Sequence, residues 1–251
     1  MVSSMKVLKS VWIIFWAIAL TLLLFLPIVL AALLGRRGDV AFHGTQVYAW
    51  ILLKVTGIRL TVVGLEHIEP GQRYMILSNH ASYLDPPALV LALGLQYRWV
   101  IKKELRRIPL FGLALEASRN LFIDRSKGSD AMRSIRENVD RLPDGTGVLI
   151  FPEGTRSWDG QLLPFKKGGF IIAKDGGLPI LPVTIRGSHD RLPKGSGAFT
   201  SGRIEVVVHP PIPTEDLTIE ELIDETRAEI ASALPLKSRT ASVLQFSDPA
   251  A

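Results

Sequence analysis

Residues 74–87 read YMILSNHASYLDPP. The first four are an apolar run of buried-strand length, and His80 and Asp85 follow at the end of that run. In open α/β sheets the C-terminal ends of the strands are where the ligand crevice lies. In a regular helix an offset of five turns through about 500°, so these two side chains can meet only across a bend. Pro86 and Pro87 mark where the bend ends, because proline is favoured at the first helical position. The chain is expected to turn through residues 81–84 and start a helix at Pro86, with Asp85 at or near its cap. Asp85 can then accept the Nδ1 proton of His80 and leave Nε2 free as a general base toward an alcohol. The plainer reading is a helix cap beside a turn histidine satisfied by backbone.

Working outward, apolar runs of strand length recur at 60–63, 74–77, 98–101, 120–123, 148–151, 180–185 and 204–208. Helix-like stretches fall at 86–95, 129–142 and 166–174, and this alternation predicts an α/β fold, a mostly parallel sheet flanked by helices. Thr218 and Glu221 form a capping-box pattern, and Ile219, Leu222, Ile223, Ile230 and Leu234 follow at helical spacing. No linker divides 59–234, which is expected to be one domain. Beyond Pro235 the residues are mostly Ser, Ala, Lys and Asp, as in a flexible tail spanning 235–251.

The chain has 251 residues, 47% of them hydrophobic and 21% charged, enough for one well-packed α/β domain with a small appendage. It contains no cysteine, which excludes a disulfide scaffold, a thiol nucleophile and every thiolate metal site. The net charge of +5 suits an anionic partner: nucleic acid, a membrane surface or a phosphorylated metabolite. HExxH, P-loop, GxGxxG and GxSxG patterns are all absent, which argues against a zinc protease, a nucleoside triphosphatase, a dinucleotide enzyme and an α/β-hydrolase.

Residues 11–34 carry no charge and as a helix would extend about 36 Å, long enough to span a bilayer. Trp12 and Trp16 sit near one end, Lys6 and Lys9 precede the run, and Arg36 and Arg37 follow it, so both ends have interfacial anchors. Pro27 leaves open a span or a re-entrant hairpin. The one A-x-A triplet of the N-terminal segment, 17–19, lies inside the run, so a retained anchor is expected rather than a cleaved leader. Residues 47–58, with Tyr48 and Trp50, read as an interfacial helix or a helix packed on the domain. Residues 1–58 are therefore expected to form an N-terminal membrane anchor.

A second polar segment, FPEGTRS at 151–157, follows another predicted strand and brings Glu153, Gly154, Thr155 and Arg156 to the same sheet edge as His80. Arg156 offers a planar fork for phosphate, and Gly154 lets backbone approach closely. Lys102, Lys103 and Glu104 follow one strand, Asp124, Arg125 and Lys127 another, and Lys166 and Lys167 precede Gly168 and Gly169. Successive strands thus end in cationic turns. His43, His67, His189 and His209 stand in unrelated contexts with no metal-ligand spacing.

At these residues the sequence resembles the glycerolipid acyltransferase family, and within it bacterial 1-acyl-sn-glycerol-3-phosphate acyltransferases of the PlsC type. NHASYLD (79–85) matches the first block, with its HX4D element. KKELRRIPLFG (102–112) with NLFIDR (120–125) resembles the second, FPEGTRS the third and ILPVTIRG (180–187) the fourth. The blocks run in order over about residues 60–210.

The resemblance implies that 59–234 is the acyltransferase domain and that His80, oriented by Asp85, deprotonates the sn-2 hydroxyl of a lysophosphatidate. That oxygen attacks the thioester of acyl-CoA or acyl carrier protein, giving phosphatidate. Arg125, Glu153, Gly154, Thr155 and Arg156, with Lys103 nearby, are implied to hold the glycerol phosphate. No metal or bound cofactor is implied, the thioester being a cosubstrate. The partners would be membrane lipids rather than nucleic acid, at the cytoplasmic face of the inner membrane. Other acceptors (glycerol 3-phosphate, another lysophospholipid or a lyso-aminolipid), or a non-catalytic lipid-binding role, are the alternatives.

Overall fold

The computed structural model describes residues 38–234 except 110, 125–135, 140 and 196–198. Leu8, Val11, Trp12, Phe15, Trp16, Ala19, Leu22, Leu23 and Pro27 are also described. The described chain begins with α1 (Asp39–Val55), followed by β1 (Ile58–Val63), β2 (Met75–Ser78), α2 (Asp85–Ala92), β3 (Tyr97–Lys102), α3 (Phe111–Ala117) and β4 (Leu121–Ile123). It continues through β5 (Gly147–Ile150), α4 (Gly168–Asp175), β6 (Ile180–Arg186), the single turn α5 (Ser188–Arg191), β7 (Gly202–Val208) and α6 (Ile219–Ser232).

The strands form one sheet in the order β1-β7-β6-β2-β5-β3-β4. Every pairing is parallel except β6 with β7. Every strand expected from the sequence is present, because strands buried on both faces read as unbroken apolar runs. Alternation divides their side chains between two cores. Ile76, Leu149, Leu181 and Ile204 pack with α1 and α2, whereas Met75, Leu77, Val148 and Ile180 pack with Phe170 of α4 and Leu222 of α6.

α2 begins at Asp85, one residue before the expected start at Pro86. The stretch 47–58 is the second half of α1 and reaches into β1 at Ile58. Ala41, Phe42, Ala49 and Leu53 of α1 are buried, while Val40, Val47 and Trp50 on its other side are exposed. Of the expected helix at 129–142, residues 136–139 are helical and 141 and 142 form a turn and a bend, while 129–135 and 140 lie outside the described residues, as does the tail 235–251. α3 and α5 were not anticipated, being too short to show a period. In the apolar run 11–34 the described residues are helical, and Val11, Trp12, Phe15, Leu22 and Leu23 are exposed. Among the described residues no helix is long and apolar enough to cross a membrane.

α6 starts at the expected capping box. The Glu221 N–H donates to Thr218 Oγ1 at 3.2 Å, and the Thr218 N–H donates to Glu221 Oε2 at 2.8 Å. Thr218→Ala is expected to lower stability by about 1 kcal/mol, whereas Thr218→Asp retains most of it. Thermal unfolding of the three proteins checks this, and equal losses in both variants would show that the cap contributes nothing.

Candidate active site

β2 and β5 are parallel neighbours, with Leu77 opposite Ile150. The chain leaving β2 at Ser78 and the chain leaving β5 at Ile150 therefore emerge side by side. Both segments singled out in the sequence meet at this edge. Asn79 closes the first against β6: its Nδ2 donates to the Ile185 carbonyl at 2.8 Å, and the Ile185 N–H donates to its Oδ1 at 2.7 Å. The side-chain amide thus takes the place of one more backbone pairing before the chain bends.

Across that bend His80 Nδ1 lies 2.7 Å from Asp85 Oδ2. The same oxygen accepts the N–H groups of Ala81 and Ser82, each at 2.7 Å. Asp85 is fully buried. Its bonds run back into the turn, so it is not the expected cap of α2: the N-cap is Leu84, without a side-chain bond, and the first turn has fewer N–H groups to satisfy because Pro86 and Pro87 supply none. An acceptor facing Nδ1 places the ring proton there and leaves Nε2 as the free lone pair. The His80 side chain is 17% exposed. This is the geometry of an oriented general base.

The 151–157 turn encloses His80. Glu153 Oε1 accepts the His80 N–H at 2.7 Å, and the Ser157 N–H donates to the His80 carbonyl at 2.8 Å. Phe151 stacks on the imidazole, with ring centroids 3.9 Å apart and planes 8° from parallel. Glu153 Oε2 accepts the Leu163 N–H at 2.9 Å. Burial pushes the Glu153 carboxyl up to about 7, a rise that Asp85 adds to and that the two N–H donors and Arg227 oppose. The resemblance placed Glu153 among the groups holding a phosphate. The structure places it beneath the turn instead: it is 3% exposed and both oxygens are engaged by backbone. A carboxylate there would also repel a phosphate.

The outer side of the same turn is cationic. The Arg156 guanidinium lies 3.4 Å from the centroid of the exposed Tyr83 ring, and its Nη1 has no hydrogen-bond partner. Lys194 Nζ donates to the Arg156 carbonyl at 2.8 Å and to Thr155 Oγ1 at 3.2 Å. Gly154 has φ 71°, so this glycine is needed for its conformation, and it lies against the end of the Lys166 side chain, 2.9 Å from where a Cβ would stand. Ser82 Oγ donates to the Leu192 carbonyl at 2.9 Å, tying the His80 bend to the segment that carries Lys194.

Lys103, beyond β3, is paired with Asp124, beyond β4, on the far side of β5 from β2. Arg125 lies outside the described residues. Sequence reading missed Tyr83, Phe151 and Lys194. The first two lie inside the quoted segments, but Lys194 reaches the turn only through the β6–β7 connection and leaves no local signal. Three of the four remaining histidines have partners elsewhere: His43 with the Asp39 carbonyl, His67 with the Val208 carbonyl, and His209 with Thr184 and Glu229, whereas the buried Nδ1 of His189 has none among the described residues. Burial lowers the His209 imidazole from its ordinary value, against the pull of Glu229. Gly160 packs close to the His189 ring.

The model of the Acyltransferase family matches residues 59–186. The human 1-acyl-sn-glycerol-3-phosphate acyltransferase alpha is 34% identical over 215 residues, covering 84% of this chain and 72% of that protein. The chloroplastic 1-acyl-sn-glycerol-3-phosphate acyltransferase BAT2 of Brassica napus is 33% identical over 200 residues, 78% of this chain and 57% of that one. The crystal structure of the 1-acyl-sn-glycerophosphate acyltransferase PlsC from Thermotoga maritima superposes with a TM-score of 0.81 at 25% identity, covering 92% of this chain and 95% of that one. With its histidine–carboxylate pair and cationic turn on a matching fold, the chain belongs to the acyltransferase family.

Proposed function

We propose that this protein transfers a fatty acyl group from a thioester, acyl-CoA or acyl carrier protein, to the sn-2 hydroxyl of 1-acyl-sn-glycerol 3-phosphate. The observation that carries the reading is the His80–Asp85 pair at 2.7 Å beside Arg156 and Lys194. The His80 Nε2 removes the hydroxyl proton as the oxygen attacks the thioester carbonyl. The tetrahedral adduct collapses, the C–S bond breaks, and the sulfur takes the proton back from the imidazolium. The products are phosphatidate and the free thiol carrier. Asp85 holds the tautomer and faces the positive charge that His80 gains. Arg156 donates to the acceptor phosphate through the guanidinium edge left over Tyr83, and Lys194 and Lys166 add charge on either side. Lys103, paired with Asp124 beyond β3, and Arg125 complete the set of phosphate-holding groups that the family resemblance implies.

The lipid acceptor gives the N-terminal segment its purpose. The exposed Val11, Trp12, Phe15, Leu22 and Leu23 face lipid, the segment holds the domain at the inner membrane surface, and the thioester arrives from the cytoplasm. The net charge of +5 favours an anionic bilayer.

The direct test supplies detergent-solubilised protein with lysophosphatidate, glycerol 3-phosphate or other lysophospholipids, and with acyl-CoA or acyl carrier protein, and identifies the lipid product. Phosphatidate is expected from lysophosphatidate. Acylation of another acceptor alone overturns the assignment.

Three variants separate the roles. His80→Ala is expected to lower kcat by about 10² to 10⁴ while thermal unfolding stays close to wild type. Near-normal turnover in that variant removes His80 as the base. Arg156→Ala is expected to raise the apparent KM for the acceptor about tenfold with a smaller change in kcat. An unchanged KM shows that Arg156 does not hold the phosphate.

For Glu153 the prediction concerns stability against pH. Its carboxyl is raised from 4.5 to about 7 in the folded protein, so the unfolded chain gives up its proton first. Stability from this group is full below about pH 4.5 and is lost as pH rises through about 7. The stability advantage of wild type over Glu153→Gln should therefore narrow between pH 5 and pH 8, measured as paired melting temperatures. A gap constant across that range contradicts the desolvated carboxyl.

A further inference from the structure

We infer that Phe151 is a positioning residue for the catalytic ring, fixing the plane of the His80 imidazole by stacking on one of its faces. The inference rests on the reading of His80 as the general base. The Nδ1 to Oδ2 bond holds one edge of the ring, but a hydrogen bond tolerates tilting, so the imidazole keeps torsional freedom about its Cα–Cβ and Cβ–Cγ bonds. The two backbone bonds to His80, from Glu153 and Ser157, fix its Cα and not its ring. The parallel contact at 3.9 Å and 8° removes the remaining freedom and aims Nε2. Offset or parallel stacking of this kind is directional in a way that an aliphatic contact is not.

Phe151 is itself held. It follows β5 directly, and by alternation it shares a sheet face with Leu149. Trp99 of β3 packs beside it at 5.5 Å between centroids. Tyr97 meets Trp99 edge to face at 5.4 Å, and Phe42 of α1 meets Tyr97 at 5.1 Å. Tyr97 is fully buried. The plane of the catalytic ring is thus referred through a row of aromatic rings to α1, an element outside both sequence segments that form the site.

The test compares Phe151→Leu and Phe151→Tyr with wild type and with His80→Ala, all purified in detergent and assayed with lysophosphatidate and acyl-CoA. Phe151→Met, unbranched and without an aromatic face, replaces the leucine variant if that protein melts below the assay temperature. Phe151→Leu is expected to lower kcat about 10- to 100-fold, with KM for both substrates within about twofold of wild type. The solvent deuterium isotope effect on kcat rises, because proton transfer becomes more fully rate-limiting when the base is misaligned. Phe151→Tyr, which restores the aromatic face, recovers kcat to within about threefold. A kcat within about twofold of wild type in Phe151→Leu overturns the inference. So does a loss of kcat with an unchanged isotope effect, since that reports fewer folded molecules, or an equal loss in Phe151→Tyr. His80→Ala keeps the two readings apart. If it retains turnover, the base assignment falls; if it is inactive while Phe151→Leu is normal, only the stacking role falls.

Discussion

His80 has its N–H bound by one residue of the 151–157 turn and its carbonyl bound by another, and both bonds depend on β2 and β5 running parallel and adjacent. Two strands separated in sequence by β3 and β4 must be neighbours in space for this to happen, which the order β6-β2-β5-β3 provides. If the register of β2 against β5 slipped by one residue, every side chain of β2 would change face and the Glu153 carboxylate would no longer meet the His80 N–H. The buried residues of both strands, Ile76 and Leu149 on one face and Met75 and Val148 on the other, resist that slip because both faces are covered. Placement of the base is therefore enforced by the hydrophobic pattern of two strands that contain no catalytic group.

The fold was legible because that pattern is strong. Strands covered by helices on both faces need continuous apolar runs, and each run expected in the sequence is a strand. The capping box of α6 was legible for the same local reason, since its partners are three residues apart. The site was legible only where its partners are also close in sequence. His80 and Asp85 meet across a five-residue bend that the two prolines announce. Glu153 illustrates the limit: residue type placed a charge in the turn, but only the three-dimensional arrangement shows that it faces inward to backbone. Phe151 and Lys194 were not legible, because stacking depends on the register of β5 and the lysine arrives from a loop 38 residues on from Arg156.

Two buried carboxylates adjoin His80, Asp85 from its own bend and Glu153 from the facing 151–157 turn, in a site proposed to handle a phosphate. Asp85 accepts three N–H bonds on one oxygen, Oδ2, while its buried Oδ1 has no partner among the described residues. Glu153 accepts two bonds, one on each oxygen, and burial raises it to about 7. Near neutrality the buried Glu153 carboxyl is therefore only partly ionised. In the proposed reaction, partial protonation of Glu153 lowers the repulsion between the buried turn and an anionic acceptor. A glutamine at 153 could remove the charge but would present an amide N–H to one of the two backbone donors, leaving one N–H unsatisfied beneath the base. A glutamate that can change its protonation state keeps at least one acceptor on each side of the turn, and this accounts for an acidic residue within an otherwise cationic segment.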